Sequence, residues 1–390
     1  MEALKIKEGI YWVGGIDWDL RNFHGYKTQR GSTYNAYLII DEKITLIDTT
    51  KYYLVDELIE RISKIIDPSK IDYIVTNHVE MDHSGGLPRM MELAPNAQII
   101  TNQAGEKGVR EHYKKDWNFK LVQTGDTVSI GKRTLAFVTT PMVHWPDNMV
   151  TYVPEEKILF SNDAFGQHIA SSERFDTEYP VDIILEEAKK YYANIVLPYS
   201  TQVGKALDET LKLDLEMIAP SHGIIWTGKN IQTILEHYKR WSANETAKKV
   251  VIVYDSMWGS TTKMSYAVYR AFERRGYKIK IFDLKLIDIS DVMTEVQDAE
   301  YICVGSPTLN KGIMPNVAAF LTYLRGLAPK GRKGIIYGSY GWAQQNIKEM
   351  QQYFDATDIE TVFIKAINYI PTEESLKAFE NEVFETVNRK

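Results

Sequence analysis

The chain has 390 residues, which is too long for one ordinary hydrophobic core, so we expect two domains. Its composition, with 44% hydrophobic and 25% charged residues, is typical of a globular protein and excludes a disordered or fibrous one. The net charge of −6 is mild, and no dense cluster of Lys and Arg interleaves with aromatic residues, so we expect no nucleic-acid partner.

The chain has one cysteine, Cys303, so no disulfide can form within it. Cys303 lies in an apolar run at residues 301–304, where we expect a buried structural thiol. One thiol also excludes a rubredoxin-type iron centre within the chain, because such a centre needs four. The first residues show no apolar export core, and no stretch approaches about 18 apolar residues, so we predict a cytoplasmic protein without a membrane segment.

Up to about residue 247 the chain mixes closely spaced strands with helices, which predicts a layered sandwich or α+β architecture. The first pair of strands flanks residues 41–43 and predicts a hairpin. Apolar residues that share one face predict the helices. Residues 211–218 fit either a helix or a strand. The predicted strands are 36–40, 44–48, 71–75, 135–140, 149–153 and 158–161, and the predicted helices are 55–66 and 231–241.

From residue 248 onward, strands and helices alternate strictly. The run 250–254 is continuously apolar and ends in a glycine-containing loop, as expected for a strand buried on both faces. A helix is predicted at 262–275. Five such strands predict a doubly wound parallel sheet. They are 250–254, 278–282, 301–305, 333–337 and 361–367. The sequence therefore predicts domains at residues 1–247 and 248–390, joined near residues 243–249, with no internal repeat.

Four potential metal ligands lie within six residues directly after the strand 71–75: His78, Glu80, Asp82 and His83. Alternate residues of an extended chain point to the same side, so the first three would face one point, and His83 would reach it from the next turn. The glycines at 85 and 86 would let the chain curl around a metal. Packing alone gives no reason to collect such polar groups at the edge of a core.

Three further candidates, His144, Asp163 and His222, each lie beside a predicted strand. Four imidazoles and three carboxylates are enough for two metal ions if one carboxylate bridges them. Three carboxylates also nearly neutralise two divalent ions. Mixed carboxylate and imidazole ligands suit iron that changes its oxidation state, whereas zinc hydrolases tolerate sites richer in histidine.

These motifs resemble the metallo-β-lactamase fold, whose pattern is His-x-His-x-Asp-His with later His, Asp and His. Here Glu80 replaces the second histidine, and this variant is similar to the pattern of flavodiiron proteins at all seven positions. The resemblance implies an αββα sandwich with two iron ions. One iron would take His78, Glu80 and His144, the other would take Asp82, His83 and His222, and Asp163 would bridge them.

Three loops of the second domain predict a phosphate and flavin site. The first joins a strand to a helix, where backbone N–H groups and hydroxyls can hold a monophosphate. It is neither a Walker loop nor a dinucleotide-binding turn. The other two follow later strands at the edge where doubly wound sheets bind ligands. The predicted residues are Ser256, Met257, Trp258, Gly259, Ser260, Thr261, Ser306, Pro307, Thr308, Leu309, Asn310, Ser339, Tyr340, Gly341, Trp342 and Ala343.

The three loops resemble the FMN site of flavodoxin, and the resemblance covers the whole second domain. It implies a flavodoxin-like doubly wound sheet with bound FMN, in which two tryptophans, Trp258 and Trp342, would pack on the flavin ring. The flavodiiron resemblance also places His24, His168 and Tyr192 around an oxygen pocket, where they would stabilise reduced oxygen or deliver protons. Surface or structural roles remain open for all three.

The resemblance implies an oxidoreductase that reduces O2 to water with four electrons, which FMN passes singly to the two irons. The electron donor would be a separate molecule, either reduced F420 or rubredoxin. A head-to-tail homodimer, or a tetramer of two dimers, would bring the FMN of one chain to the irons of its partner. Alternatives are a nitric oxide reductase, a zinc hydrolase fused to a flavodoxin module, and a pure electron carrier.

Overall fold

The computed structural model describes residues 2–387. The chain forms two compact units. The first contains the chain up to Tyr191 together with Thr201–Lys239, and the second contains Tyr192–Ser200 and the chain from Arg240 onward. The domain boundary predicted at residues 247 and 248 stays a prediction.

The first unit is built on two large sheets and two short ribbons. In chain order its strands are β1 (Leu4–Lys7), β2 (Ile10–Trp12), β3 (Gly15–Asp17), β4 (Asn22–Phe23), β5 (Tyr26–Lys27), β6 (Ser32–Tyr34), β7 (Tyr37–Ile39), β8 (Thr45–Ile47), β9 (Tyr73–Val75), β10 (Gln98–Thr101), β11 (Phe119–Leu121), β12 (Thr127–Ser129), β13 (Thr134–Thr139), β14 (Met149–Val153), β15 (Ile158–Asn162), β16 (Met217–Pro220) and β17 (Trp226–Thr227). The sheets run in the orders β1-β2-β7-β8-β9-β10-β11 and β12-β13-β14-β15-β16-β17, and the ribbons pair β3 with β6 and β4 with β5.

Helices complete this part of the chain. They are α1 (Val55–Ser63), α2 (Met81–Ser84), α3 (Leu87–Leu93), α4 (Gln103–Tyr113), α5 (Val181–Tyr191), α6 (Ser200–Thr210) and α7 (Lys229–Ser242). The predicted hairpin is confirmed as β7 and β8, and both predicted helices are confirmed as α1 and α7. The ambiguous segment 211–218 lies between the end of α6 and the start of β16, and only its last two residues belong to a strand.

The period of two along the central strands builds two cores. In β7, Tyr37 and Ile39 face a cluster between the two sheets, whereas Leu38 faces a second cluster under α1, α3 and α4. In β9, Val75 likewise faces the cluster between the sheets, and Ile74 faces the cluster under the helices. Each such side chain contributes about 1.5–3 kcal/mol when fully buried. Continuous apolar runs therefore give strands that are covered on both faces, which confirms the layered sandwich.

The second unit is a five-stranded parallel sheet with helices between its strands. The strands are β18 (Ala247–Tyr254), β19 (Lys278–Asp283), β20 (Ala299–Gly305), β21 (Arg332–Tyr340) and β22 (Ile359–Asn368), and the helices are α8 (Ser260–Arg274), α9 (Ile289–Val296), α10 (Pro315–Leu327), α11 (Asn346–Asp355) and α12 (Glu373–Thr386). The order β19-β18-β20-β21-β22 confirms the predicted doubly wound topology. Across residues 2–387, no helix combines the length and apolar character needed to cross a membrane.

Candidate metal centre and flavin pocket

The dense ligand cluster begins where the chain leaves β9. His78 and Glu80 lie in the loop, and Asp82 and His83 lie in the short helix α2, which begins at Met81. The strand-like alternation predicted for residues 78, 80 and 82 is therefore wrong beyond Glu80. The single turn of α2 brings Asp82 and His83 close to the ligands of the preceding loop.

Gly85 allows this helical turn to pack tightly. A Cβ at this position would lie below 3.0 Å from both the carbonyl oxygen of Met81 and the backbone nitrogen of Tyr52. Its φ of −60° is an ordinary helical value. The glycine is therefore needed for close approach and not for its conformational freedom.

The three remaining ligands follow three strands of the six-stranded sheet. His144 lies in the loop after β13, Asp163 directly follows β15, and His222 lies just beyond β16. Both β13 and β15 run antiparallel to β14, and β16 is parallel to β15, so all three strands end at one edge of the sheet. Strand direction thus collects side chains that are up to 78 residues apart.

Together the predicted ligands form two adjacent groups, and within each group the ligand atoms lie within 4.8 Å of one another. The first ligand group is His78, Glu80, His144 and Asp163, and the second ligand group is Asp82, His83 and His222. The structure therefore brings all seven predicted metal ligands together.

Asp163 faces both ligand groups. Its Oδ2 lies 3.3 Å from Nε2 of His144 and 3.7 Å from Nε2 of His78. Its Oδ1 lies 3.0 Å from Nε2 of His83 and 3.3 Å from Nε2 of His222. Atoms that share one metal at about 2.1 Å lie roughly 3.0–3.4 Å apart. One carboxylate therefore offers one oxygen to each of two metal positions.

The carboxylates set the protonation of the imidazoles. Burial alone would lower the pKa of His144, but the carboxylates of Asp163 and Glu80, at 3.3 and 3.4 Å from its Nε2, outweigh burial and raise the pKa to about 9. Burial opposes the same effect at His222, where Asp163 and Asp82 raise the pKa to about 10. Since a metal and a proton compete for the same Nε2 atom, metal uptake at this site releases protons.

The second unit has a cavity of about 680 Å³ at the carboxyl ends of its strands. Of the predicted FMN residues, Ser256, Met257, Trp258, Ser260, Pro307, Thr308, Leu309, Asn310, Ser339, Tyr340, Gly341, Trp342 and Ala343 line it. Lys311, Tyr369 and Ile370 also line it, and sequence reasoning missed them. The predicted residues Gly259, Thr261 and Ser306 are not among the lining residues.

The cavity has the parts that a flavin phosphate and ring need. Helix α8 begins at Ser260 directly after Gly259, whose φ of 84° is a conformation that favours glycine. The first turn of α8 therefore directs its backbone N–H groups toward the cavity edge. Trp258 and Trp342 are 92% and 93% exposed, so their ring faces are open to a planar ligand.

Comparison with known proteins agrees with this architecture. Residues 33–223 match the ODP family beta lactamase model, and residues 252–380 match the flavodoxin model. The chain is 45% identical to a nitric oxide reductase of Moorella thermoacetica over 96% of both chains. It is 41% identical to the rubredoxin-oxygen oxidoreductase of Megalodesulfovibrio gigas over 100% of this chain and 99% of that protein. It is 38% identical to a coenzyme F420H(2) oxidase of Methanothermobacter marburgensis over 96% of both chains.

Among solved structures, the rubredoxin oxygen:oxidoreductase of Desulfovibrio gigas superimposes with a TM-score of 0.96 at 40% identity, covering 99% of this chain and 97% of that one. The flavodiiron protein of Giardia intestinalis superimposes with a TM-score of 0.95 at 35% identity, covering 100% and 96%. The chain belongs to the flavodiiron protein family. Its first domain is metallo-β-lactamase-like and its second is flavodoxin-like, as the sequence predicts.

The buried ligand atoms fit the two irons of a flavodiiron protein. Both carboxylate oxygens of Asp82 and of Asp163, and both ring nitrogens of His83, are buried and make no well-aligned hydrogen bond to the described residues. Buried carboxylates without aligned hydrogen-bond donors are costly, and two divalent cations would neutralise them. Carboxylate and imidazole donors in this mixture suit iron.

Residues behind the ligands of this flavodiiron protein hold the imidazoles in place. Oδ2 of Asp147 accepts hydrogen bonds from Nδ1 of His78 at 2.8 Å and from the backbone nitrogen of Val79 at 2.7 Å. Nδ1 of His222 donates to the carbonyl oxygen of Thr33 at 2.8 Å. Both contacts leave Nε2 facing the metal position. Sequence reasoning missed Asp147, although it lies only three residues after His144.

Gln167 fastens two of the ligand loops to each other. Its Nε2 donates to the carbonyl oxygens of Phe165 and Ile224 at 3.1 Å each, and its Oε1 accepts from the backbone nitrogen of Ile224 at 2.7 Å. Phe165 lies two residues after Asp163, and Ile224 lies two residues after His222. The amide therefore links the segment of the bridging carboxylate to that of a histidine ligand.

Three non-glycine residues with positive φ lie within two positions of a ligand. Met142 at 64° lies two residues before His144, and Asn162 at 53° directly precedes Asp163. Phe165 also has a φ of 68°. Backbone conformations of this kind cost free energy in large side chains and occur where the surrounding structure holds them for function.

Two of the three residues predicted around an oxygen pocket lie beside the ligands. Nε2 of His24 is 3.0 Å from Oε1 of Glu80, and the hydrogen bond with this carboxylate raises the pKa of His24. His168 lies with its ring centroid 4.8 Å from that of His222, and its Nδ1 is 2.7 Å from Oγ of Ser32. Burial, assisted by the charge of His222, holds the pKa of His168 well below its usual value, so this imidazole is neutral.

The structure places Tyr191, and not the predicted Tyr192, against these imidazoles. The ring of Tyr191 lies 5.2 Å from His168 and 5.8 Å from His222. Tyr192 instead directs its hydroxyl to Ser200 at 3.1 Å and packs on Trp241. The two adjacent tyrosines are not distinguishable by sequence pattern, because the segment changes from an α-helix to a π-helix between them.

Lys51 adds a positive charge beside the centre that sequence reasoning did not identify. Its Nζ lies 4.8 Å from the ring centre of Tyr34 and 5.1 Å from that of Phe23. Burial lowers the pKa of Lys51, and the nearby carboxylates of Asp82 and Glu80 oppose that effect. The cation is therefore held by aromatic faces at the edge of the site.

Proposed function

We propose that this flavodiiron protein reduces O2 to water in a four-electron reaction at a diiron centre supplied with electrons by FMN. The observation that carries the proposal is the position of Asp163, whose two oxygens face two separate groups of ligand atoms. This arrangement fits two metal ions held side by side, where both can contact one O2 molecule.

We propose that His78, Glu80 and His144 hold one iron, that Asp82, His83 and His222 hold the other, and that Asp163 bridges them. The two irons and FMN supply the redox chemistry when bound. The protein fixes the imidazoles through Asp147 and the carbonyl oxygen of Thr33, and it excludes bulk water by burying five of the seven ligands almost completely.

The reaction consumes four protons for each O2, and the chain offers groups that can supply them. The side chain of His24 is 71% exposed and touches Glu80, so it can carry a proton between solvent and the first ligand group. His168 has no hydrogen-bond partner at its buried Nε2 among the described residues. Its neutral ring can therefore offer this atom to a ligand without adding charge.

The electron donor in our proposal is either rubredoxin or reduced F420. The support is the pair of relatives whose names state these two donors, a rubredoxin-oxygen oxidoreductase and a coenzyme F420H(2) oxidase. Both relatives match nearly the full length of this chain. Lys311 and the exposed aromatic residues around the flavin cavity are compatible with direct access by a planar donor.

We also propose a head-to-tail homodimer or a tetramer of two dimers. Within the second unit, the flavin cavity carries exposed apolar side chains at its mouth, including Trp258, Trp342 and Ile370. Within the first unit, Met81, which lies between two ligands, is 55% exposed. Exposed apolar surface at both sites supports an assembly in which each covers the other. Cys303 is buried and free, which is compatible with the proposed cytoplasmic location.

Nitric oxide reduction to nitrous oxide is the second candidate, because a relative 45% identical is named a nitric oxide reductase. The same seven ligands would serve either substrate. Two electrons reduce two NO molecules to N2O, whereas O2 needs four electrons for two waters. Gas consumption per donor oxidised therefore separates the two reactions.

The test starts from anaerobically purified protein with measured iron, zinc and FMN contents. Two irons and one FMN per chain, with oxygen uptake to water when reduced F420 or reduced rubredoxin is added, would support the proposal. Nitrous oxide formation without oxygen uptake would favour the second candidate. Two zinc ions and no iron would refute both O2 reduction and NO reduction, and would favour the zinc hydrolase alternative.

A further inference from the structure

One buried side chain ties together two of the loops that line the flavin cavity. Asn346, the first residue of α11, is completely buried. Its Nδ2 donates to the carbonyl oxygens of Ser306 at 2.6 Å and Ser339 at 3.2 Å. Its Oδ1 accepts from Oγ1 of Thr308 at 3.0 Å. We call Asn346 with these three partners the amide clasp.

The amide clasp lies just beyond Gly305 and Tyr337, the last paired residues of β20 and β21. Residues 306–310 follow β20, and Ser339 lies near the end of β21. Two backbone hydrogen bonds join this loop to β21, from Ser306 N to the carbonyl oxygen of Tyr337 at 3.2 Å and from Thr308 N to the carbonyl oxygen of Ser339 at 3.0 Å. The three side-chain hydrogen bonds of one buried amide add to these two and help to hold the two loops at a fixed separation.

The space inside the amide clasp is fully used. A Cβ on Gly338 would lie below 3.0 Å from both the carbonyl oxygen of Ser306 and Nδ2 of Asn346. The backbone of β21 thus passes directly against the amide, and no larger residue fits at position 338. Such tight packing leaves Asn346 one position, and that position determines where Thr308 and Ser339 point.

We propose that Asn346 is a positioning residue for FMN, acting through Thr308 and Ser339. The inference rests on the proposed function, because it assumes that the cavity of the second unit binds FMN. Thr308 and Ser339 line this cavity, whereas Asn346 does not. Without the amide, the two loops keep two backbone hydrogen bonds but lose three side-chain hydrogen bonds that fix their spacing. The bound flavin is then held less tightly, and the positions of the groups around it vary more.

A merely structural role for Asn346 makes different predictions. A residue that only stabilises α11 would lower the unfolding temperature and leave the properties of bound FMN unchanged. A positioning residue changes the FMN dissociation constant and the midpoint potential of the bound flavin. Both quantities are measurable on the full chain without turnover.

The test compares Asn346→Ala and Thr308→Val with a matched control on the same helix. Gln351→Ala is that control, because Nε2 of Gln351 also makes two hydrogen bonds, to Asp355 at 2.6 Å and to Thr361 at 3.2 Å. Neither partner lines the cavity. FMN is titrated into flavin-free protein, and the quenching of flavin fluorescence gives the dissociation constant.

We expect Asn346→Ala to raise the FMN dissociation constant about tenfold or more, because three buried hydrogen bonds are lost. We expect Thr308→Val to raise it several-fold, and Gln351→Ala to leave it within about twofold of the unchanged protein. In the Asn346→Ala background, Thr308→Val should add little, because the partner of Thr308 is already absent. The midpoint potential should shift in the first two variants only.

Several outcomes would overturn the inference. One is an unchanged dissociation constant and potential in Asn346→Ala, and another is an equal effect of Gln351→Ala. A full additional effect of Thr308→Val in the Asn346→Ala background would also contradict the amide clasp. If Asn346→Ala does not fold, Asn346→Asp decides, because it keeps an acceptor for Thr308 but loses the two hydrogen bonds that Nδ2 donates to Ser306 and Ser339. If the unchanged protein binds no FMN, the proposed function and this inference both fail, whereas FMN binding that Asn346→Ala leaves unchanged refutes this inference alone.

Discussion

Asp147→Asn should weaken iron binding without unfolding the first domain. Oδ2 of Asp147 accepts from Nδ1 of His78 and from the backbone nitrogen of Val79. Burial alone would raise the pKa of Asp147, but the hydrogen bond with His78 outweighs it and lowers the pKa, so the group is ionised at neutral pH. Its charge makes Nε2 of His78 a stronger donor to a metal.

The expected loss of iron affinity depends on which contacts of Asp147 each substitution retains. Changes in carboxylates behind a metal ligand typically weaken metal binding about 10- to 100-fold, or about 1.4–2.7 kcal/mol. Asn keeps an oxygen that can accept both hydrogen bonds and loses only the charge, so we expect about tenfold for Asp147→Asn. Asp147→Ala loses both contacts, so we expect about 100-fold.

Iron affinity is measured anaerobically by competition with a chromogenic chelator. Asp176→Asn is the matched control, because Asp176 is also buried and accepts from the backbone nitrogen of Thr227 at 2.9 Å and from its hydroxyl at 2.5 Å, outside the ligand groups. Unchanged iron affinity in Asp147→Asn, or an equal loss in Asp176→Asn, would refute the reasoning that Asp147 acts through His78.

Three further predictions concern the bridging carboxylate, the packing of the flavin loops and the buried cysteine. Asp163→Ala should reduce the iron content below two per chain, because each metal position loses one oxygen; elemental analysis that still finds two irons would contradict the bridge. Gly338→Ala should lower the unfolding free energy by about 1–3 kcal/mol in a denaturant titration, because its Cβ has no room, and an unchanged midpoint would argue against this packing. Cys303 should resist thiol reagents until the protein unfolds, since it is completely buried and burial raises its pKa well above the usual value; labelling of the native protein would contradict this expectation.

The strands at 250–254 and 149–153 were predictable because burial on both faces requires continuous apolar runs, whereas short strands such as β3, β4 and β12 were not predicted. The seven ligands were predictable because His and carboxylates seldom gather at strand ends without a metal. The backbone conformation that connects the ligands could not be predicted. Nothing in residues 78–83 distinguishes an extended chain from the helical turn of α2, which depends on the space that Gly85 leaves beside Tyr52.

Residues that act through others were harder to find than ligands. Asp147 gives no signal of its own, because its significance depends on His78, 69 residues away along the chain. Tyr191 and Tyr192 are adjacent and alike, and only the switch from α-helix to π-helix decides which of them reaches His168. Lys311 and Tyr369 join the flavin cavity from turns whose positions depend on the tertiary fold.

The two sites share one physical solution to a common difficulty. A loop that presents ligands at the end of a strand gives up the regular hydrogen bonds of the sheet, so its carbonyl and N–H groups need other partners. An amide side chain can both donate and accept, and it carries no charge that would disturb a metal or a flavin. Gln167 does this for the segments after Asp163 and His222, and Asn346 does it for the flavin loops. Each amide also bonds a backbone atom far along the chain, 40 residues away for Asn346 and 57 residues away for Gln167, so sequence pattern alone cannot reveal either of them. A buried Asn or Gln beside a ligand loop is therefore best sought in the structure, by asking which backbone groups it satisfies.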